Sequence, residues 1–188
     1  ADAEHTPMKL RFTVPSSVPA SHLQDGGATI DADDVAALLD DEDVIALGEV
    51  MNVPGLVAGD PEIHAKIDAA RERGLVVDGH APRVTGEALQ EAARYLDNDH
   101  ESVELAEARA KADAGFHVYL REGSTSKNLD ALVDLVEAVD SRRLSLCTDD
   151  RTVADLPDGG GINTVVRTAM GLGLDPVTAV QTAPLNTS

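Results

Sequence analysis

The chain has 188 residues, which suits one domain or part of a larger one. It carries 34 acidic against 15 basic residues, a net charge of -19, so it offers no basic face for nucleic acid. The single cysteine, Cys147, excludes an intrachain disulfide, and no stretch approaches the roughly 20 apolar residues of a membrane span.

The elements alternate along the chain. A hydrophobic run from Leu10 to Val14, followed by Pro15-Ser16, predicts a first strand. Asp31 is placed to cap a short helix to Leu39, with Val35, Leu38 and Leu39 apolar. Val44 to Val50 predicts a strand. Pro61 to Arg73 predicts a helix with Ile63 and Ile67 four apart, stopped by Gly74. Leu75 to Val77 predicts another strand. A helix opens at Thr85-Gly86 with Leu89, Ala92, Ala93 and Leu96 inward. Ser102 to Ala114 predicts a further helix, ended by Gly115. Phe116 to Leu120 reads as a strand, Leu129 to Val139 as a helix and Leu144 to Cys147 as a strand. Ile162 to Met170 and Pro176 to Thr182 read as helices, broken by Gly171 and Gly173. Strands alternating with helices predict an α/β protein with parallel strands. Cys147 lies in an apolar run and reads as a small core residue.

The apolar runs end in residues that carry chemistry. Glu49 ends one, His80 the next, and His100 and Glu101 follow in the next unit. Arg121, Glu122 and Ser124 end the run from Phe116, and Asp149 and Asp150 end the last. In a βα barrel the loops after parallel strands converge on one face. A carboxylate, two imidazoles and an aspartate in series at such ends suit a metal-dependent hydrolase. His5, His22, His64 and His117 are poorer candidates, because His64 lies within a helix and His117 mid-strand. A complete barrel takes roughly 250 residues, so a barrel here is an incomplete one.

Several local words go further. They are Val14–Ala20 (VPSSVPA), Leu47–Asn52 (LGEVMN) with Pro54-Gly55, Val77–Pro82 (VDGHAP) and Asp99–Glu101 (DHE). Arg121–Ser124 (REGS), Lys127–Leu129 (KNL) and Cys147–Arg151 (CTDDR) complete the set. In these words the chain resembles the bacterial and archaeal adenine deaminases of the amidohydrolase superfamily, from about Leu10 to Asn186. The resemblance implies a (β/α)8 TIM-type metallo-dependent hydrolase barrel, with about strands three to eight present in residues 1–188. The first strands and a C-terminal β-rich region are expected outside it. It implies a binuclear centre of manganese or iron. Glu49 would bridge, His80 and His100 would come from the fifth and sixth strands, and Asp149 from the eighth would bind metal and shuttle protons. The family's His-x-His pair has no counterpart in these residues. Ser17 stands where relatives carry a cysteine, and the word Gly160–Asn163 lacks their histidine.

The implied reaction is hydrolysis of adenine to hypoxanthine and ammonia in purine salvage. Asp149 is the expected proton acceptor. Glu101 either protonates a ring nitrogen or is a helix N-terminal glutamate. Arg121, Glu122 and Ser124 either contact the base or serve as turn and capping residues. Asp150 either supports the site or pairs with Arg151. The other readings are a different amidohydrolase of the cyclic amidase type, and an inactive barrel fragment. No nucleic-acid or membrane partner is expected, and a cytoplasmic homo-oligomer is. The spread of acidity, with four lysines against eleven arginines, reads as that of a halophile's cytosolic protein.

Overall fold

The computed structural model describes residues 5, 7, 9–21 and 23–186. The chain divides into two compact units, residues 1–80 with 94–97 and residues 81–93 with 98–188. His22 lies outside the described residues.

The first unit holds a parallel three-stranded sheet in the order β1 (Phe12–Pro15), β2 (Val44–Val50), β3 (Val76–Gly79). Helix α1 (Ala32–Leu38) connects β1 to β2, and α3 (Pro61–Glu72) connects β2 to β3. Such crossovers are what parallel pairing requires. Asp31 caps α1 as its sequence position predicts, accepting from Asp34 N while the Asp34 side chain accepts from Asp31 N. The periodicity does not predict short helix α2 (Val53–Val57); Asn52 caps it through Gly55 N at 3.0 Å. Gly74 takes φ 67°, the left-handed turn that ends α3. Val14, Leu47 and Val77 are in register across the three strands and all three are buried. Each contributes roughly 1.5–3 kcal/mol by leaving water.

The second unit repeats the design with β4 (Asn98–Asp99), β5 (His117–Arg121) and β6 (Leu144–Cys147), again parallel and in that order. Val118 pairs with Leu144 and Leu120 with Leu146, and all four are buried. Helix α4 (Gly86–Ala92) precedes β4. It ends sooner than the periodicity predicts, and Leu96 is buried from beyond its end. Helix α5 (Leu105–Ala114) packs on β5 and closes at Gly115, φ 114°. It starts three residues later than predicted. Ser102 N and Oγ both donate to the Asp99 carboxylate, which holds residue 102 out of the helix.

The stretch predicted as one helix from Leu129 is two, α6 (Leu129–Leu132) and α7 (Leu135–Ala138). Leu129, Leu132 and Leu135, each three residues from the next, are all buried across the break. Beyond β6 lie α8 (Leu156–Gly159), α9 (Ile162–Gly171) and α10 (Pro176–Val180), then a π-turn, Gln181–Leu185. The chain is α/β with parallel strands, as the alternation predicts. No helix among the described residues is long and apolar enough to cross a membrane.

Candidate metal centre

In the first unit Glu49 lies near the end of β2 and His80 directly follows β3. Their side chains meet, Nδ1 of His80 lying 3.3 Å from Oε2 of Glu49, and both are partly open to solvent. The Glu49 backbone is pinned from β1, because its carbonyl accepts from Ser16 Oγ at 2.7 Å and Ser17 Oγ at 3.3 Å. Gly48 allows the strands to approach, since a Cβ there would fall 2.7 Å from Thr13 Oγ1. A cavity of about 240 Å³ opens beside Glu49, lined by Ser16, Ser17 and Met51 among others.

In the second unit His100, Glu101 and Asp149 each place one donor atom within 4.8 Å of the others. His100 is 7% exposed and its Nε2 lies 3.3 Å from Glu101 Oε1. Asp149 follows β6 and its side chain is 22% exposed. Arg121, at the end of β5, donates from Nη1 to Asp149 at 2.7 Å and also to Glu101. Burial opposes its charge, yet the hydrogen bonds and charges of Glu101 and Asp149 outweigh it and raise Arg121 above the ordinary guanidinium range. Its Nε is buried and has no hydrogen-bond partner among the described residues.

The loop bearing Asp149 is latched to the loop after β5. Glu122 N donates to Cys147 O at 3.0 Å, Ser124 N to Asp150 O at 2.9 Å, and Thr152 N to Ser124 Oγ at 2.9 Å. Gly123 makes this possible, because a Cβ there would come within 2.9 Å of Thr148 O. The latch holds Asp149 at φ 49°, a left-handed conformation that aspartate tolerates better than most residues. Glu122 pairs with Lys127 at 2.6 Å. Glu122, Ser124 and the Asp150 backbone thus join two loops, whereas Arg121 and Glu101 converge with Asp149.

Beneath His100 lies a buried network that sequence patterns do not announce. Lys111, 0% exposed, donates to Asp99 at 2.8 Å, Glu107 at 2.8 Å, Ala81 O at 2.6 Å and Ser102 Oγ at 3.0 Å. Asp99 in turn accepts from Ala81 N at 2.9 Å and from Glu101 N at 3.1 Å. Burial pushes the Asp99 carboxyl upward, but the charge and hydrogen bond of Lys111, with those of Ala81 and Ser102, bring it below the usual carboxylate range. His64 and His117, the poorer candidates, are engaged elsewhere. His64 Nε2 lies 3.0 Å from Leu56 O, and His117 Nε2 lies 2.7 Å from Ser145 Oγ.

An imidazole with two carboxylates is a donor set that suits a divalent first-row cation such as iron or manganese. Two carboxylates face one guanidinium, so the set is also electrostatically receptive to a cation. The Glu49–His80 pair offers the same chemistry on its own unit.

Parallel βα units carrying histidines and carboxylates at strand ends define a metal-capable site of the α/β class. The chain belongs to the amidohydrolase family, whose model matches residues 1–188. It is similar to an adenine deaminase of Dehalococcoides mccartyi strain BAV1, 45% identical over 183 residues, 97% of this chain and 32% of that protein. An adenine deaminase of Desulfatibacillum aliphaticivorans is 40% identical over 187 residues, 99% of this chain and 33% of that one. One of Thermosipho melanesiensis is 40% identical over 191 residues, 98% and 33%. The chain therefore spans about a third of the length of the curated relatives it matches.

Proposed function

We propose that the whole protein bearing this chain is a metal-dependent adenine deaminase that hydrolyses adenine to hypoxanthine and ammonia in purine salvage. The observation that carries this reading is the His100–Glu101–Asp149 cluster, a set of one nitrogen and two oxygen donors held by the ends of parallel strands. The similarity to three adenine deaminases supports the substrate. In this reading residues 1–188 supply about strands three to eight of a (β/α)8 barrel.

Glu49, His80, His100 and Asp149 are the residues that would hold a manganese or iron centre, a binuclear one in this reading. The chemistry such a centre would supply is acidification of water, whose pKa falls toward neutrality. The rest falls to this chain's side chains. Water's oxygen bonds to C6 of adenine, the C6–N bond breaks and ammonia leaves. The Asp149 carboxylate takes the water's proton and delivers it to the departing nitrogen. Such transfers contribute roughly 10²–10⁴-fold in rate. Glu101 carries the water's second proton to a ring nitrogen, so that it is itself restored at the end of the cycle. Arg121, already donating to both carboxylates, fixes their separation beside the place the base would occupy. Glu122, Ser124 and Asp150 shape the wall on which the base rests.

We read the net charge of -19 as that of a cytoplasmic protein in a high-salt cell, acting without nucleic acid or membrane and as a homo-oligomer. The test is the metal-loaded native protein offered adenine, dihydroorotate and a hydantoin. Stoichiometric ammonia and hypoxanthine from adenine alone is the expected result. Ring opening of either cyclic amide without ammonia would overturn the deaminase reading in favour of a cyclic amidase, and no turnover of any of the three would favour an inactive remnant.

A further inference from the structure

We infer that Asn128 is a positioning residue that couples the His100 segment to Arg121 and thereby sets the metal affinity of the His100–Glu101–Asp149 cluster, an inference that rests on the metal-dependent reading above. Asn128 is 3% exposed and stands at the N-terminal cap position of α6. An asparagine there ordinarily accepts from the first turn of its helix. This one makes no such bond. Its whole amide is directed elsewhere.

Oδ1 accepts from Arg121 N at 2.6 Å, while Asn128 N donates to Arg121 O at 3.0 Å. Asn128 thus pairs with Arg121 as a strand neighbour would. Nδ2 donates to His100 O at 3.1 Å and to Ser102 O at 2.9 Å, the two carbonyls that flank Glu101. From the other end, the Arg121 guanidinium reaches Glu101 and Asp149. The bonds close a ring that runs from the Asn128 amide to the Arg121 backbone, along its side chain to Glu101, and back through residues 100–102. A closed ring fixes the His100 and Glu101 donors relative to Asp149 more tightly than strand ends alone. Outer partners of this kind orient ligands and commonly tune metal affinity.

The test is Asn128→Asp in the native protein. The carboxylate is isosteric and keeps an acceptor for Arg121 N, but it loses both donors and sets oxygen against the carbonyls of His100 and Ser102. Binding of Mn²⁺ is read by electron paramagnetic resonance, and modification of His100 by diethyl pyrocarbonate is read by mass spectrometry with His64 as the internal reference. The expected result is Mn²⁺ affinity weakened by about 10–100-fold, with His100 modified several-fold faster and His64 unchanged. Parent-like Mn²⁺ affinity and His100 reactivity in a folded Asn128→Asp protein would overturn the coupling, even if its unfolding midpoint falls. A parent that binds no Mn²⁺ defeats the metal reading, and the His100 reactivity then decides the coupling alone. Should Asn128→Asp fail to fold, Asn128→Ser keeps one hydroxyl and is expected to shift both readouts in the same direction by less.

Discussion

Among the described residues, the buried polar side chains of the unit of residues 1–80 and 94–97 are Ser16 and Lys66; in the unit of residues 81–93 and 98–188 there are ten, from Asn98 to Thr182. Each unit has its own three-stranded parallel sheet, so the contrast is not one of architecture. Ser16 and Lys66 bond backbone carbonyls, and Glu49 is positioned by β2 and by two hydroxyls on its own carbonyl. In the second unit β4 is two residues long, and a two-residue strand positions little by itself. Buried polar and charged side chains supply what the strand lacks. Lys111, Asp99, Glu107 and Asn128 tie the His100 segment down from several sides. Where a strand is short, a buried polar network takes over its positioning role, at the cost that its members depend on one another.

Two buried lysines sharpen that comparison. Lys66 donates to Ser16 O at 3.1 Å and Ile30 O at 2.6 Å, and its carboxylate neighbour Glu62 is about half exposed at 3.7 Å. Lys111 is the ammonium partner of two carboxylates that have almost no access to water. Lys111→Met is expected to cost about 3–5 kcal/mol, the usual penalty for stranding buried charge. Lys66→Met is expected to cost about 1–3 kcal/mol, that of carbonyls losing a donor. Urea unfolding of both variants measures this, and equal losses would break the contrast.

How much of this is legible in the sequence differs between the units in the same way. Asp31 as a cap, Gly74 as a stop and the strand to Val50 follow from local rules, because each depends on residues within a turn or two. The candidate ligands are legible as polar ends of apolar runs. The network beneath His100 is not. Lys111 and Asp99 are twelve residues apart on different elements, and no periodicity links them. On α5 the buried positions include Glu107 and Lys111, which a sequence pattern assigns to the solvated side. β4 lacks the apolar run that marks a strand. Asn128 and Lys127 are visible only as part of a family word, not as a joint between two segments.

Acid should find the second unit first. Burial and the nearby charge of Arg143 lower the His117 imidazole below its ordinary value. The unfolded chain then takes up a proton near pH 6.5 before the folded one does, so stability declines as pH falls below about 6.5. Asp99 is also held low, and its contribution is lost as pH falls below about 4. Unfolding midpoints measured from pH 8 to pH 3 should show both declines. His117→Phe should remove the upper one alone, and persistence of that decline would reject the assignment.

The smallest effect is expected from salt, which acts on both units alike. The Debye length falls from about 30 Å at 0.01 M to about 3 Å at 1 M. Repulsion among the 34 acidic side chains should therefore fade, and the melting midpoint should rise with KCl. A flat or falling midpoint would make the acidity incidental while leaving the site untouched.

The most direct measurement is ammonia release from adenine by the metal-loaded native protein and its Asp149→Asn variant. The amide can neither take the water's proton nor supply a ligand charge. The account predicts a variant with parental circular dichroism and a rate lowered by roughly 10²–10⁴-fold or more. A folded Asp149→Asn protein that releases ammonia at near the parental rate would contradict it.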